Sequence, residues 1–309
     1  AISIAQALKT MHSDVEILFV GAQGKMEMKK VPEAGFEIVG LWINGLQRTI
    51  SLKNLMFPIK LLLSLIKSFQ LIRSFRPDVV VGVGGYASGP LLYMATLNKI
   101  PTLIQEQNSY AGLTNKWLSK SVSTICVAYE GMDKFFPKDK IVLAGNPVRK
   151  DIFRDSIQSK EAYAFFKLNP NKKTLLVIGG SLGAKTVNES ILPGLEPLWA
   201  ADIQLIWQTG GFYYTQIMSE MKTPWDERLR MYDFIKEMQY AYTIADVVVS
   251  RAGALSISEL MLSAKPSILI PSPNVAEDHQ KLNAQKLISG RAALMVPDAL
   301  ASTMLVKTA

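Results

Sequence analysis

The sequence predicts an α/β protein made of two Rossmann-like, doubly wound domains with an active-site cleft between them. Short runs of β-branched and aliphatic residues alternate with helical patterns along the chain, which is typical of α/β domains. The runs are apolar throughout, as expected for parallel strands that helices cover on both faces. The 309 residues also exceed the size, about 250–300 residues, at which a single hydrophobic core stops growing.

Strands are predicted in both halves of the chain. Those of the first half span residues 15–20, 78–83, 102–105, 124–128 and 141–143. Those of the second half span 175–178, 203–207, 229–233, 246–250 and 267–270. The halves meet at Gly145-Asn-Pro-Val-Arg149, where a strand ends, Asn-Pro interrupts the backbone and a polar helix follows. We therefore expect domains at 1–147 and 148–309, with ligands at the carboxyl ends of the strands and in the cleft between the domains.

Composition excludes several classes of protein. Hydrophobic residues make up 49% of the chain and charged residues 19%, which is typical of a globular protein and not of a disordered or collagenous one. The single cysteine, Cys126, rules out an internal disulfide, favours a reducing compartment and lies in a run that predicts a buried strand. The two histidines, His12 and His279, form no metal-binding motif, and Ser181 lies outside a G-x-S-x-G elbow, so neither a metal site nor a catalytic triad is predicted.

The net charge of +8 lies entirely in the first half of the chain. Residues 1–150 carry 18 basic and 10 acidic side chains, whereas residues 151–309 carry 16 of each. This asymmetry predicts an anionic partner for the first half, either nucleic acid or an anionic membrane surface. No nucleic-acid-binding motif is present, which disfavours a nucleic-acid partner. The most apolar stretch, residues 57–69, is too short to span a bilayer and contains two lysines, and no signal peptide opens the chain.

Residues 55–72 predict an amphipathic helix with an excess of apolar surface. Leu62, Leu65, Ile66, Phe69 and Ile72 repeat with the spacing of one helical face. Leu55, Ile59, Leu61 and Leu63 lie partly outside that face, and Lys53, Lys60, Lys67, Arg73 and Arg76 surround it. Two interpretations stay open, a surface that dips into an anionic membrane and a helix that is buried on two sides.

Two glycine-rich turns in the second half each follow a strand and precede a helix. They are Gly179-Gly-Ser-Leu-Gly-Ala184 and Ser250-Arg-Ala-Gly-Ala-Leu255. Glycine allows the backbone to approach a ligand closely, and a helix N-terminus favours anions, so a diphosphate site is predicted. Glu259 in the second helix either accepts hydrogen bonds from ribose hydroxyls or complements the helix dipole. The polar segment 276–284 either reads sugar hydroxyls or starts a helix.

A third glycine-rich segment lies in the first half. Gly82-Val-Gly-Gly-Tyr-Ala-Ser-Gly-Pro90 could place backbone amides against a phosphate, and Gln105-Glu-Gln-Asn108 follows the next strand. The first segment is also a loose match to a dinucleotide-binding motif, for which Glu106 is the only candidate ribose-binding acid. A nicotinamide-dependent dehydrogenase is therefore an alternative that the sequence supports weakly.

Taken together and in order, the motifs resemble those of one enzyme family, the MurG peptidoglycan N-acetylglucosaminyltransferases. The matching segments are Gly45-Leu-Gln-Arg48, Gly84-Gly-Tyr-Ala-Ser-Gly-Pro90, Glu106-Gln-Asn108, Ala111-Gly-Leu-Thr-Asn-Lys-Trp117, Gly145-Asn-Pro-Val-Arg149, Gly179-Gly-Ser-Leu-Gly-Ala184, Ala245-Asp-Val-Val-Val-Ser-Arg-Ala-Gly-Ala254, and His279-Gln280 before Asn283-Ala284.

The resemblance implies a GT-B fold and an inverting, metal-independent transfer without a cofactor. The donor implied is UDP-GlcNAc, and the acceptor is the C4 hydroxyl of the muramoyl sugar in undecaprenyl-diphosphoryl-MurNAc-pentapeptide (lipid I), which yields lipid II. The implied location is peripheral, on the anionic cytoplasmic face of the bacterial inner membrane. Other cell-wall synthesis and division proteins are implied as partners, and nucleic acid is not. The alternative is another GT-B glycolipid glycosyltransferase that uses a different UDP-sugar or acceptor.

The resemblance also assigns residues to three surfaces. The implied donor site consists of Arg149, Gly180, Ser181 and Leu182 near the diphosphate, Ala254 and Leu255 at the second helix start, Ile235 at uracil, Glu259 at ribose, and His279 and Gln280 at GlcNAc. The implied acceptor site consists of Gly84, Gly85, Tyr86 and Asn108. The implied membrane patch consists of Leu55, Ile59, Leu62, Leu65, Ile66 and Trp117. The family's glycine-rich loop with its histidine base is expected before residue 1, and its last helices after residue 309, so no catalytic base is assigned among these residues.

Overall fold

The structure is a computed structural model that describes residues 1–45, 56–149, 152, 158–180, 182–221, 226–275 and 278–309. The chain forms two compact units, Ala1–Pro147 and Val148–Ala309. Every strand pair in both units is parallel. The predicted α/β class with two parallel-sheet domains is therefore confirmed.

The first unit contains two parallel sheets. Its strands are β1 (Leu18–Ala22), β2 (Glu37–Leu41), β3 (Val80–Gly82), β4 (Thr102–Glu106), β5 (Thr124–Val127) and β6 (Ile141–Leu143). Its helices are α1 (Ile2–Met11), α2 (Glu27–Glu33), α3 (Phe57–Phe75), α4 (Ser88–Leu97) and α5 (Leu113–Leu118). Strands β1 and β2 pair with each other, and the other four pair in the order β3-β4-β5-β6. The larger sheet is built around the fully buried side chains of Leu92, Ile104 and Ile125.

An apolar cavity of about 480 Å³ lies between β1 and β3. Side chains of α1 and the apolar residues of both strands line it. Residues 84–86, which follow β3, also border the cavity.

The second unit has one six-stranded parallel sheet. Its strands are β7 (Thr174–Ile178), β8 (Gln204–Gln208), β9 (Leu229–Tyr232), β10 (Val247–Ser250), β11 (Ser267–Leu269) and β12 (Ala293–Met295), in the order β12-β11-β10-β7-β8-β9. Its helices are α6 (Ser159–Phe166), α7 (Lys185–Ile191), α8 (Leu195–Ala200), α9 (Tyr214–Glu220), α10 (Met238–Ile244), α11 (Ala254–Ser263), α12 (His279–Ser289) and α13 (Ala301–Thr308). The strand order reverses between β7 and β10, and such a switch point is where ligands of open α/β sheets bind.

The core of the second unit explains why residues 175–178 of its central strand β7 are all apolar. Along β7, Leu176 and Ile178 pack into one cluster, whereas Leu175 and Val177 pack into another on the opposite face. Because both faces of the sheet are covered, no position of the strand can be polar without a cost of burial.

Two strands were missed by the sequence prediction and one was misplaced. Strand β2, Glu-Ile-Val-Gly-Leu, begins with a charged residue and contains a glycine, so its apolar run is interrupted. Strand β12, Ala-Leu-Met, consists of residues that favour helices. Strand β1 covers Leu18–Ala22 instead of residues 15–20. Cys126 lies in β5 as predicted, but it is half-buried and not fully buried, because the burial of β5 alternates between its faces.

Candidate functional site

The glycine-rich turn after β7 requires its glycines for two different reasons. Gly180 has a φ of +83°, which side chains rarely adopt. A Cβ on Gly183 would lie 2.1 Å from the carbonyl oxygen of Thr209, so this residue is a glycine because another loop passes directly beside it. That second loop contains Gly210, whose own Cβ would lie 2.3 Å from the amide nitrogen of Gly183. The two loops therefore fix each other through backbone contact.

A buried glutamine also holds the loops at this edge of the sheet. Gln208 is the last residue of β8, and its Nε2 donates to the carbonyl oxygen of Gly180 (3.1 Å). Its Oε1 accepts from the amide of Ile235 (2.9 Å), which follows β9. The loops after three neighbouring strands are thus connected at their carboxyl ends.

Glu259 and Arg149, two residues implied in donor binding, lie together. Arg149 Nε is 3.5 Å from Glu259 Oε1, and the Glu259 side chain is 16% exposed. Tyr242 Oη on α10 donates to Glu259 Oε2 (3.2 Å). Burial first, and the nearby carboxylate second, raise the pKa of Tyr242 above its usual range, so its hydroxyl stays a donor. The Glu259 carboxylate, on α11 beside the switch point, is thus held between the Arg149 guanidinium and the neutral Tyr242 hydroxyl.

The other loop at the switch point follows β10. Ala254 and Leu255 form the first turn of α11, whose N-cap is Gly253. Arg251 in the same loop is directed into the protein, where its guanidinium donates to the carbonyl oxygen of Ile270 (3.1 Å) and to Asp298. Leu255 is exposed, so the helix start and not the arginine faces solvent here.

His279 and Gln280 lie at a different strand end, after β11. They open α12, and β10 separates β11 from β7 in the sheet. Gln280 Oε1 accepts from the amide of Ser272 (2.9 Å), so this glutamine shapes the loop after β11. His279 and Gln280 begin a helix, as one interpretation predicted, and this position does not prevent a contact with a sugar, as the other predicted.

The acceptor-side segment of the first unit adopts a glycine-dependent turn after β3. Gly84 and Gly85 have φ values of +85° and +84°, and a Cβ added to either residue would meet no neighbouring atom. Glycine is therefore required here by the backbone conformation and not by a lack of space. Ser88 Oγ donates to the carbonyl oxygen of Gly84 (2.6 Å) at the start of α4. Tyr86 is half-exposed, and a Cβ on Gly45 would lie 2.3 Å from its ring.

Glu106 organises the loop that carries Asn108. Its carboxylate is buried and accepts from the Asn108 amide (3.1 Å) and the Asn108 side chain (3.4 Å) on one oxygen. On the other oxygen it accepts from the Gly112 amide (2.9 Å) and from Asn115 Nδ2 (2.8 Å). Glu106 therefore fixes the position of Asn108. This geometry gives Glu106 a structural role and not the ribose-binding role of a dehydrogenase.

Helix α3 exposes most of its apolar stripe and buries two serines. Ser64, Ser68 and Ile72 are its buried residues. The exposed side chains include Ile59, Leu62, Leu63, Ile66 and Phe69, whereas Leu65 is half-buried. The interpretation of a helix buried on two sides is therefore wrong. Small serines allow the helix to pack closely on its own unit, and the large aliphatic side chains remain on the outside.

Two lysines of α3 do not surround this stripe as predicted. Lys60 Nζ donates to Asn44 Oδ1 (3.1 Å), and Lys67 Nζ donates to the carbonyl oxygen of Gly40 (2.9 Å). Lys60 therefore reaches the loop after β2, and Lys67 reaches the backbone of β2 itself. Arg73 lies over the ring of Phe69 at the exposed end of the stripe. Trp117 on α5 is 60% exposed and packs against Tyr93.

Comparison with known proteins identifies the family. The N-terminal domain model of glycosyltransferase family 28 matches residues 1–127, and the C-terminal domain model matches residues 174–308. A protein of Cytophaga hutchinsonii is 56% identical over 309 residues, which are 100% of this chain and 83% of that protein. One of Parabacteroides distasonis is 55% identical over 100% of this chain and 84% of its own length. Both are named UDP-N-acetylglucosamine–N-acetylmuramyl-(pentapeptide) pyrophosphoryl-undecaprenol N-acetylglucosamine transferase.

The chain belongs to glycosyltransferase family 28. The resemblance to the MurG family that the motifs indicated is thereby confirmed. The crystal structure of MurG from Acinetobacter baumannii has the same fold, with a TM-score of 0.74 and 24% identity over 99% of this chain and 86% of that one. A UDP-GlcNAc 2-epimerase from Neisseria meningitidis, crystallised with UDP-GlcNAc, has a TM-score of 0.62 at 14% identity over 99% of this chain and 87% of that one. Both likenesses support the GT-B fold.

In this family 28 chain, most implied donor residues lie at the carboxyl edge of one sheet. Ser181 and Leu55 fall outside the described residues, so the structure does not place them. Leu182 is exposed at the tip of the turn after β7. Among the described residues, no group of three His, Cys, Asp or Glu side chains could hold a metal ion, and no helix is long and apolar enough to cross a membrane.

The sequence analysis missed the residues whose side chains hold the predicted site residues in position. Tyr242 and Gln208 belong to no recognisable motif, because each acts through a contact between elements that are distant in sequence. The signal available for Gln208 was a polar residue directly after the predicted strand 203–207. The signal for Tyr242 was weaker, since a tyrosine on a helix is ordinary.

Proposed function

We propose that this chain transfers N-acetylglucosamine from UDP-GlcNAc to the C4 hydroxyl of the muramoyl sugar of lipid I, which forms lipid II. The observation that carries the proposal is the identity of 50% or more, over essentially the whole chain, to several proteins named for this transfer. The chain is a family 28 glycosyltransferase, and its two glycine-rich strand ends and paired Arg149 and Glu259 fit a nucleotide-sugar donor.

The donor is proposed to lie over the switch point of the second sheet. Glu259, oriented by Tyr242, accepts hydrogen bonds from the ribose hydroxyls. Arg149 and the turn containing Gly180 lie toward the diphosphate, with the start of α11 on its other side. Ile235 packs beside uracil and can offer its carbonyl group, because its amide already donates to Gln208. GlcNAc is assigned to His279 and Gln280.

The reaction is proposed to be an inverting displacement that uses no metal ion. A base removes the proton of the acceptor hydroxyl, whose oxygen attacks the anomeric carbon as UDP leaves. The developing charge on UDP is stabilised by Arg149 and by the partial positive charge at the start of α11. Gly84, Gly85, Tyr86 and Asn108 are proposed to position the acceptor. Glu106 acts through Asn108, since it holds that residue in the loop.

Attachment to the membrane is proposed to be peripheral and to use α3. Its exposed aliphatic stripe suits the interfacial region of a bilayer, and the excess positive charge of residues 1–150 suits anionic lipids. The cytoplasmic face of the inner membrane is the location where both substrates of the proposed reaction meet.

Donor selectivity tests the proposal and its alternatives together. The gene product is titrated calorimetrically with UDP-GlcNAc, UDP-glucose and NAD⁺ in a buffer that contains EDTA. We expect UDP-GlcNAc to bind most tightly and NAD⁺ to give no signal. Tighter binding of UDP-glucose would favour a different glycolipid transferase. Dependence of UDP-GlcNAc binding on added Mg²⁺ would contradict the metal-independent mechanism.

A further inference from the structure

Gln208 occupies a central place among the loops of the donor site. Strand β8 lies between β7 and β9, and Gln208 is paired with Ile178 on one side and with Tyr232 on the other. The side chain is 3% exposed. It points along the carboxyl edge of the sheet, where its amide reaches the loops that follow both neighbouring strands.

Each half of the Gln208 amide serves a different loop. Nε2 donates to the carbonyl oxygen of Gly180 (3.1 Å), in the turn assigned to the diphosphate. Oε1 accepts from the amide of Ile235 (2.9 Å), in the loop assigned to uracil. A side-chain amide supplies a donor and an acceptor on one planar group at any pH near neutrality. A single buried side chain thus fixes the separation between the two loops.

We propose that Gln208 is a positioning residue that couples the uracil-binding loop to the diphosphate-binding turn. This inference rests on the proposed function, because it uses the assignment of both loops to parts of UDP. Without Gln208, each loop keeps its own contacts with the ligand, but the distance between the loops is no longer fixed. A ligand that spans both loops therefore loses more affinity than one that occupies a single loop.

The same strand provides a matched control. Gln204 lies four residues earlier, at the amino end of β8, and is 1% exposed. Its amide also bridges by donating and accepting, since Nε2 donates to the Asn169 carbonyl (2.9 Å) and Oε1 accepts from the Asn169 amide (2.6 Å). Gln204→Leu therefore removes an equivalent buried amide on the opposite edge of the sheet.

The test compares uridine, UMP and UDP as ligands of four proteins: the unmodified protein, Gln208→Leu, Gln208→Glu and Gln204→Leu. We expect Gln208→Leu to weaken UDP binding about tenfold, the effect of one or two lost hydrogen bonds, while uridine binding changes less than about twofold. Gln208→Glu keeps the acceptor for Ile235. In alkaline buffer, which favours the ionised form, it sets a carboxylate against the Gly180 carbonyl oxygen, so it should show the same selective loss there. Gln204→Leu should leave the ratio of UDP to uridine affinity unchanged, whatever it does to the melting temperature.

Equal losses for uridine and UDP, or no loss for either, in the Gln208 variants would overturn the coupling role. If Gln208→Leu does not fold, Gln208→Glu decides, because it preserves size and one of the two hydrogen bonds. Failure of the unmodified protein to bind UDP would instead overturn the proposed function itself. The two failures are therefore distinguishable within one set of titrations.

Discussion

Glu259 is held by two neighbours with different chemistry. Arg149 supplies a positive charge at 3.5 Å, and the buried Tyr242 supplies a neutral hydroxyl at 3.2 Å. Both hold the carboxylate in one orientation, which a hydrogen-bond acceptor for ribose requires. The sequence left the role of Glu259 evenly divided between ribose binding and helix-dipole compensation. Ribose binding stays a prediction, which these two side-chain partners support.

Substitution of Glu259 is expected to weaken donor binding. Glu259→Gln should reduce UDP affinity by about 1.5–3 kcal/mol, the range of a lost charged hydrogen bond, as measured by calorimetry. Tyr242→Phe should reduce it by a smaller amount, because the carboxylate remains but is less well oriented. Tyr240→Phe is the control, since Tyr240 also donates to a carboxylate, that of Glu161 (2.5 Å), elsewhere on the unit. Unchanged UDP affinity in Glu259→Gln would remove this residue from the donor site.

Buried tyrosines are expected to destabilise the protein at alkaline pH. Burial raises the pKa of Tyr129 to about 12, whereas an unfolded tyrosine ionises near 10. Because the unfolded chain releases this proton first, the free energy of unfolding should fall as the pH rises from about 10 toward 12. Among the described residues the Tyr129 hydroxyl has no hydrogen-bond partner. Tyr129→Phe should therefore reduce the fall in the free energy of unfolding at alkaline pH. It should not lower that free energy at neutral pH, as measured by urea unfolding. An unchanged pH dependence would show that Tyr129 is not its source.

At the scale of loops and strands, two glycines lock the turn after β7 to the loop after β8. Gly183→Ala would place a methyl group on the Thr209 carbonyl at a φ of +81°, so it should lower the free energy of unfolding by at least about 1–2 kcal/mol and weaken UDP binding. Gly211→Ala is the control, because its Cβ would meet no atom and its φ is not positive. Equal effects of the two substitutions on the urea midpoint would contradict the proposed contact between the loops.

Helix α3 shows what a periodic pattern can and cannot predict. The spacing of Leu62, Leu65, Ile66, Phe69 and Ile72 correctly predicts a helix with one apolar stripe. It does not indicate which way the stripe faces, because that depends on whether serines or leucines fit against the neighbouring elements. The structure resolves this point, since Ser64 and Ser68 are buried and most of the aliphatic stripe is exposed.

The exposed stripe predicts reversible binding to anionic vesicles. Leu62→Ser/Ile66→Ser should reduce cosedimentation with vesicles of anionic lipid about tenfold or more, because each substitution removes an apolar side chain worth about 1.5–3 kcal/mol when buried. Met261→Ser/Leu262→Ser is a matched control from an exposed apolar pair on α11. High salt should weaken binding of the unmodified protein, since the charge of residues 1–150 is screened. Equal binding of both double variants would contradict a membrane role for α3.

At the scale of the whole molecule, the alternation of strands and helices was sufficient to predict the class and the two parallel-sheet domains. It was not sufficient for β2, whose apolar run is interrupted, or for β12, whose residues favour helices. It was also not sufficient for the contacts of Gln208 and Tyr242, which join distant segments. A motif can be recognised in the sequence because its residues lie close together along the chain. The motifs here contain the residues that are proposed to face a ligand. Residues that hold those motifs in place depend on the fold, so they become visible only when the chain is arranged in space.

The central claim, transfer of GlcNAc to lipid I, is tested most directly by the product of the reaction. The gene product is incubated with labelled UDP-GlcNAc and a lipid I analogue, and the linkage is determined by NMR. The account predicts a GlcNAc residue joined through a β bond to the C4 oxygen of the muramoyl sugar, formed in the presence of EDTA. An α-linked product, attachment at another hydroxyl, or release of free GlcNAc without transfer would contradict it.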